Sequence, residues 1–120
     1  MLIAVVLNEI KLIVPIVEGE TIRIFDSEKS TYKDFENPAI HLKEGRRGAA
    51  LKFAEEKGAT AFVSPPQTFC ELSYEKAKHD GIRFFQLEQT ISYEQFVKKL
   101  TSNQLGSQTE LPENEIAPSF

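Results

Sequence analysis

Two adjacent arginines lie between two glycines at Gly45-Arg46-Arg47-Gly48, where a stretch of helical period begins. A helix start carries partial positive charge and favours acids, so paired bases there need a reason. An anion is one such reason: the unpaired N–H groups of a helix start and two guanidinium forks converge naturally on negative charge. Gly45 and Gly48 let the backbone come close to a ligand. The competing reading has each arginine solvated, or paired with Glu44 or with acids of the sheet. GRRG lacks the full spacing of a phosphate loop. From His41 to Lys52 there are four bases and one acid, a local charge of +3.

Four more residues join this constellation. His41, just before the same helix, would offer a nitrogen donor to a metal, or serve as a plain loop histidine. Cys70 falls early in a second helical stretch. A helix N-terminus lowers a thiol's pKa and makes it reactive or ligating, whereas a position beside Phe69 and Leu72 also suits ordinary core. In open α/β sheets ligands bind outside the carboxyl ends of the strands. That rule places Asn8, after the first strand, and Ser64, after the fourth, near the arginines. Hydrolytic metal chemistry would want several acids at strand ends. The first strand has none, and Asp26 and Asp34 flank a hairpin turn, where solvation is expected. Spacing supports no Ser-His-Asp set and no Walker-type loop. From the residues alone the expectation is a site for an anion, with an enzyme acting on a small anion as a weaker reading that a convergent acid–base pair in the cleft would revive.

The elements that must position these residues follow from period and punctuation. Leu2 to Leu7 is a continuous apolar run, the pattern of a strand buried on both faces. Ile10 to Val17 is apolar but broken by Pro15, which suggests an edge strand or an ordered loop. Thr21 to Phe25 alternates, and Thr31 to Phe35 is its hairpin partner, stopped by Asn37-Pro38. A helix over Gly45 to Lys57 has Ala49, Ala50, Phe53 and Ala54 on one face and Gly58 as its cap. Thr60 to Val63 reads as a short strand. Ser64-Pro65-Pro66 is a bend, and Gln67 to His79 a helix with Phe69, Leu72, Lys76 and Ala77 in register. Ile82 to Leu87 is the last strand. Ser92 and Gln95 form a capping box for a helix that buries Phe96, Val97 and Leu100. The order β-β-β-α-β-α-β-α gives an α/β fold: a mixed five-stranded sheet with helices on both faces. Residues 1–102 form the single expected domain. Residues 103–120, with many breakers and few apolar anchors, read as a flexible acidic tail.

Bulk properties narrow the function. The 120 residues suffice for one core, and a net charge of −4 argues against a broad nucleic-acid footprint. Apolar runs are too short for a membrane helix. A lone cysteine, with no basic leader ahead of the "MLIAVVL" run, suggests the cytoplasm.

"IAVV" near the start, "IRIFD" in the second strand, "ENPA" closing the hairpin and "GAALKFAEEKGATAFV" after it follow one another in a telling order. This run, over roughly residues 2 to 100, resembles the dinitrogenase iron–molybdenum cofactor-binding family of small nitrogenase-accessory carriers and their relatives. The resemblance implies a ribonuclease H-like motif fold. It also implies an anionic metal–sulfur cargo, iron–sulfur or molybdenum-containing, held without catalysis. Two loops depart from the family pattern. Relatives carry Ser-Pro-His-Phe-Gly before the second strand; here Pro15 stays and Ile16 stands in place of the histidine. Relatives carry a Gly-rich turn after the fourth strand; here it reads Ser64-Pro65-Pro66-Gln67, and proline donates no N–H. The departures motivate a second expectation: an interaction or regulatory module, with a protein partner or as a homo-oligomer, that keeps the fold and carries no cluster.

Overall fold

Leu2–Leu7 forms β1, the strand on which the others are laid. Thr21–Asp26 (β2) and Thr31–Glu36 (β3) form the hairpin, and Ala61–Ser64 (β4) and Arg83–Gln86 (β5) follow. The computed structural model describes residues 1–118. Its sheet has the order β3-β2-β1-β4-β5, with β1 in the middle. β1 pairs antiparallel with β2 and parallel with β4, so the sheet is mixed as expected. Three helices, Arg46–Glu56 (α1), Glu71–His79 (α2) and Tyr93–Thr101 (α3), complete the α/β domain among the described residues.

The apolar run of β1 is explained by cover on both sides. Ala4 and Val6 face a core with Ala50, Leu51 and Ala54 of α1 and Tyr74 and Ala77 of α2. Ile3, Val5 and Leu7 face the opposite core, with Phe96 of α3. The crossovers β3-α1-β4 and β4-α2-β5 step the same way across the sheet, so α1 and α2 share one face. This connectivity has a consequence for function. β1, β3, β4 and β5 all point the same way, and all three helices start at their carboxyl ends.

Local signals set most boundaries. The Ser92 hydroxyl accepts the Gln95 N–H at 3.1 Å and the Gln95 side chain accepts the Ser92 N–H at 2.9 Å, the capping box foreseen for α3. Gly58 ends α1 with φ +92°. One open choice is resolved and one expectation shifts. Ile10 to Val17 is an ordered loop with a 3₁₀ turn at Ile16–Glu18, tied down by single bridges Leu7–Ile13 and Leu12–Ser92. α2 starts at Glu71 and not at Gln67, because Gln67 takes φ +68° and Cys70 is extended at the N-cap. The inward face is then Ser73, Tyr74 and Ala77, and Leu72 is 75 % exposed.

The hairpin acids are engaged. The Asp26 carboxylate accepts the Glu28 and Lys29 N–H groups at 3.0 and 3.2 Å, building the turn. Asp34, expected to be solvated, takes both arms of the buried Arg23 guanidinium at 2.7 and 2.9 Å. Arg23 also lies 3.7 Å from the Tyr32 ring centroid and 4.5 Å from that of Tyr93. The bidentate bond to Arg23 holds the Asp34 carboxyl below its usual range.

Residues 103–120 were expected as a flexible acidic tail. Backbone contacts run through them as far as Ala117. Phe84 of β5 and Gln108 exchange both N–H···O bonds at 2.8 Å, which covers the outer edge of the sheet. Leu111 donates to the Tyr74 hydroxyl at 2.7 Å, and Leu111 and Ala117 are buried. The few apolar residues of this stretch are its anchors. Ser119 and Phe120, also part of that expected tail, lie outside the described residues.

Between the carboxyl halves of α1 and α2, Glu55 meets Asp80, which Lys76 holds at 2.8 Å. Desolvation first, then the Asp80 carboxylate, push Glu55 up to about 7 from 4.5. The folded state therefore keeps a proton that the unfolded state has lost. The stabilisation is complete below 4.5 and is lost as pH rises through about 7. Thermal unfolding across that window is expected to show the unchanged chain losing Tm with rising pH. Glu55→Gln should flatten that slope and be the more stable of the two above pH 7.

Candidate functional site

The site is assembled around Asn37, which ends β3 and caps the 3₁₀ turn Pro38–His41. Its Oδ1 accepts the Ala39 N–H at 3.0 Å, an N-cap bond, and Pro38 occupies a position where no N–H is needed. The Asn37 side chain is fully buried, and its amide nitrogen donates to Ile16 O and Gly19 O, both at 2.8 Å. Gly19 is required by space. A Cβ there would lie 2.7 Å from both Leu7 O and Val6 Cγ1. One carboxamide thus locks the β1–β2 loop to the turn that leads into α1.

Arg46, the first residue of α1, reaches back to the same two segments. Its Nε donates to Ala39 O at 2.9 Å and its Nη2 to Val17 O at 3.1 Å. Arg47 reaches the other way. Its Nε donates to Thr68 O at 3.1 Å and its Nη2 to Gln67 O at 3.4 Å, in the β4–α2 loop. The two guanidinium groups therefore splay apart and pin a loop on each side, a partnering with backbone oxygen that neither sequence expectation named. Carbonyls are neutral, so both arginines keep their full charge. Each guanidinium carries five N–H donors and gives two here.

Between the first turns of α1 and α2 lies a cleft of about 620 Å³. Gly45, Arg46, Arg47, Gly48 and Cys70 all line it, so five of the expected residues converge. Gly45 takes φ +62°, the left-handed region that glycine tolerates without strain. The Ser73 hydroxyl accepts the Cys70 N–H at 2.9 Å and sits 3.2 Å from the thiol, placing Cys70 at the cap of α2. Lys43 and Lys76 also line the cleft, giving four cations against Glu44. The sequence marks Lys76 only as part of the α2 register. Its spacing from Cys70 and Ser73 at successive helical turns was the signal for its place here.

Three expected residues stand elsewhere. The His41 imidazole meets the Glu36 carboxylate on the exposed end of the 3₁₀ turn. Asn8 caps its own loop, its Oδ1 accepting the Ile10 and Leu12 N–H groups at 3.1 and 3.0 Å. Ser64 is buried, with its hydroxyl 3.4 Å from Phe62 O. The strand ends beside Asn8 and Ser64 are closely covered. Ile16 and Pro65 are buried there, and Ile13 N donates to Ile91 O across them. Among the described residues no group of three or more His, Cys, Asp or Glu side chains is placed to hold a metal ion. No helix there is long and apolar enough to cross a membrane.

Asn37→Ala would leave Ile16 O, Gly19 O and the Ala39 N–H without partners in the interior. The expected loss is about 3 kcal/mol or more by urea unfolding. Asn37→Asp should do no better, since a carboxylate cannot donate to two carbonyls. An Asp variant as stable as the unchanged chain would contradict the assignment.

No family model matches the chain, and no curated protein matches it. Solved structures do. The chain is similar to the apo form of the orange protein from Desulfovibrio gigas, with a TM-score of 0.74 at 16 % identity over 89 % of this chain and 92 % of that one. It is also similar to a Thermotoga protein of the DUF35 family, named for NifB and solved by NMR. There the TM-score is 0.66 at 14 % identity, over 93 % of this chain and 97 % of the other. At these identities the likeness is one of fold.

Proposed function

We propose that the chain is a small cytoplasmic binding protein, not an enzyme. It takes an anionic cargo, a metal–sulfur cluster or a related anion, into the cleft between the first turns of α1 and α2. The observation that carries this reading is the concentration of Lys43, Arg46 and Arg47 against a single acid, Glu44, in one cleft that Lys76, itself paired with Asp80, also lines. Two helix N-termini add their partial positive charge. Arg46 and Arg47 offer the N–H donors left over from their loop carbonyls, and Gly45 and Gly48 keep side chains out of the approach. Asn8 and Ser64 would act from behind, by shaping the loop and strand end. Cys70 is the one soft ligand in reach, while His41 faces Glu36. A cargo held here would therefore arrive with its own sulfide bridges, iron–sulfur or molybdenum-containing, and be retained by charge. Similarity in fold to one protein solved as an apo form and to another named for NifB is in keeping with such a role.

A second reading, an interaction or regulatory module without a cluster, is favoured by one observation. Ile16 and Pro65, at the two loops that depart from the family pattern, are buried. That reading expects a stable homo-oligomer or a protein partner, and a strict monomer in sedimentation would count against it.

The first reading is tested by anaerobic incubation with iron, molybdate and sulfide, followed by desalting and absorbance. Lys43→Ala with Lys76→Ala removes charge without touching the loop carbonyls. The unchanged chain should retain cluster absorbance, and the double variant should bind roughly tenfold more weakly, with a steep salt dependence in the parent. Equal absorbance in both would sink the proposal.

A further inference from the structure

The cleft has a wall that belongs to neither helix. Pro118, near the end of the chain, lines it beside Cys70 and Lys76. The residues before it hold the donors an anion would want. Glu71, in the first turn of α2, gives its N–H to Ala117 O at 3.1 Å, and Gln67 gives its N–H to Glu115 O at 2.9 Å. Ala117 returns its own N–H to Phe69 O at 2.9 Å. The chain's own carbonyls thus sit where an anion would meet the α2 N-terminus.

We propose that residues 108–118 form a releasable strap that competes with the anion for the α2 end of the cleft. This rests on the reading of that cleft as an anion site. Two features make the strap detachable. It is fastened at separate points, the Gln108–Phe84 pair with Gln108 Nε2 on Gln86 Oε1, the Leu111–Tyr74 pair, Gln67 on Asn114 and Glu115, and the Ala117 bridge, with Pro112, Glu113 and Asn114 exposed between them. It also carries a misfit. Oε2 of Glu115 is buried with no hydrogen-bond partner among the described residues, and burial pushes that carboxyl above its ordinary range. A buried carboxylate oxygen left unpaired opposes docking. Its acids stand away from the cleft, Glu110 and Glu113 beside Glu71, Glu75 and Lys78 and Glu115 near Gln86, so the strap meets the cleft through Pro118 and the backbone carbonyls at the start of α2.

A cargo that binds only the strap-released form is weakened by the fraction of time the strap is closed, and by linkage it must in turn loosen the strap. The test uses molybdate and the full chain. Gln108→Pro with Leu111→Ser removes a strap N–H and its apolar anchor and leaves the charge at the cleft unchanged. Titration calorimetry is expected to show molybdate binding about tenfold tighter in this variant. In the unchanged chain, molybdate should speed hydrogen exchange at the Gln108 and Ala117 amides. Exchange in the unchanged chain decides the matter even if the variant does not fold. Equal affinity, or strap amides unmoved or slowed by bound molybdate, overturns the strap and leaves the anion reading standing. No molybdate binding by either chain overturns both.

Discussion

The side chain of Asn37 lies where three separate segments meet and has no access to solvent. Both of its amide hydrogens go to carbonyls of the β1–β2 loop, its oxygen caps the following turn, and its own backbone N–H donates to Glu20 O at 2.8 Å. A buried carboxamide is tolerable only when every such bond is made. The constraint therefore runs outward. Fixing Ile16 and Gly19 fixes the loop after β1, fixing Ala39 fixes the entry to α1, and Arg46 then finds Val17 O and Ala39 O within reach. The position of the candidate cleft follows from that chain of contacts.

The charges at the start of α1 are accounted for by what lies in front of them. The helix end repels cations, but backbone carbonyls of two loops and of the 3₁₀ turn present the opposite end of the peptide dipole to Arg46 and Arg47. Lysine would not serve, because the arrangement needs a fork whose arms reach different oxygens. A structural duty of this kind does not consume the charge. The same two residues that pin the loops still raise the potential of the cleft beside them. Pinning the loops and charging the cleft are two consequences of one placement.

How much of this was legible depended on whether the cause was local. The β1 run, the Ser92–Gln95 capping box and the glycine after α1 are decided within a few residues, and each was read correctly. The mixed sheet and the helices on both faces follow from element order. Gly45, Arg46, Arg47 and Gly48 share one cleft because they are neighbours at one helix start, and Cys70 joins them because α1 and α2 start at the same end of a parallel pair, whereas Asn8 and Ser64, expected beside the arginines, stand apart. What eluded the sequence was set by partners far along the chain. The carbonyls that take up Arg46 and Arg47 have no sequence signature, because every residue carries one. The late start of α2 depends on Gln67 and Glu71 bonding to residues 115 and 117. The path of the last residues depends on Leu111 finding Tyr74, a contact that composition does not announce.

β3 bears on how the molecule behaves at high concentration. With β5 bordered by Gln108, β3 is the sheet margin open to a second copy. Two identical strands joined antiparallel in one continuous sheet must set some residue opposite itself. For the sequence Thr31-Tyr32-Lys33-Asp34-Phe35-Glu36, the two registers of longest overlap set Lys33 against Lys33 or Asp34 against Asp34. Like charges directly across a ladder are unfavourable. The margin is therefore guarded against its own kind by the alternation of its charges, and the chain resists edge-to-edge aggregation without burying that strand.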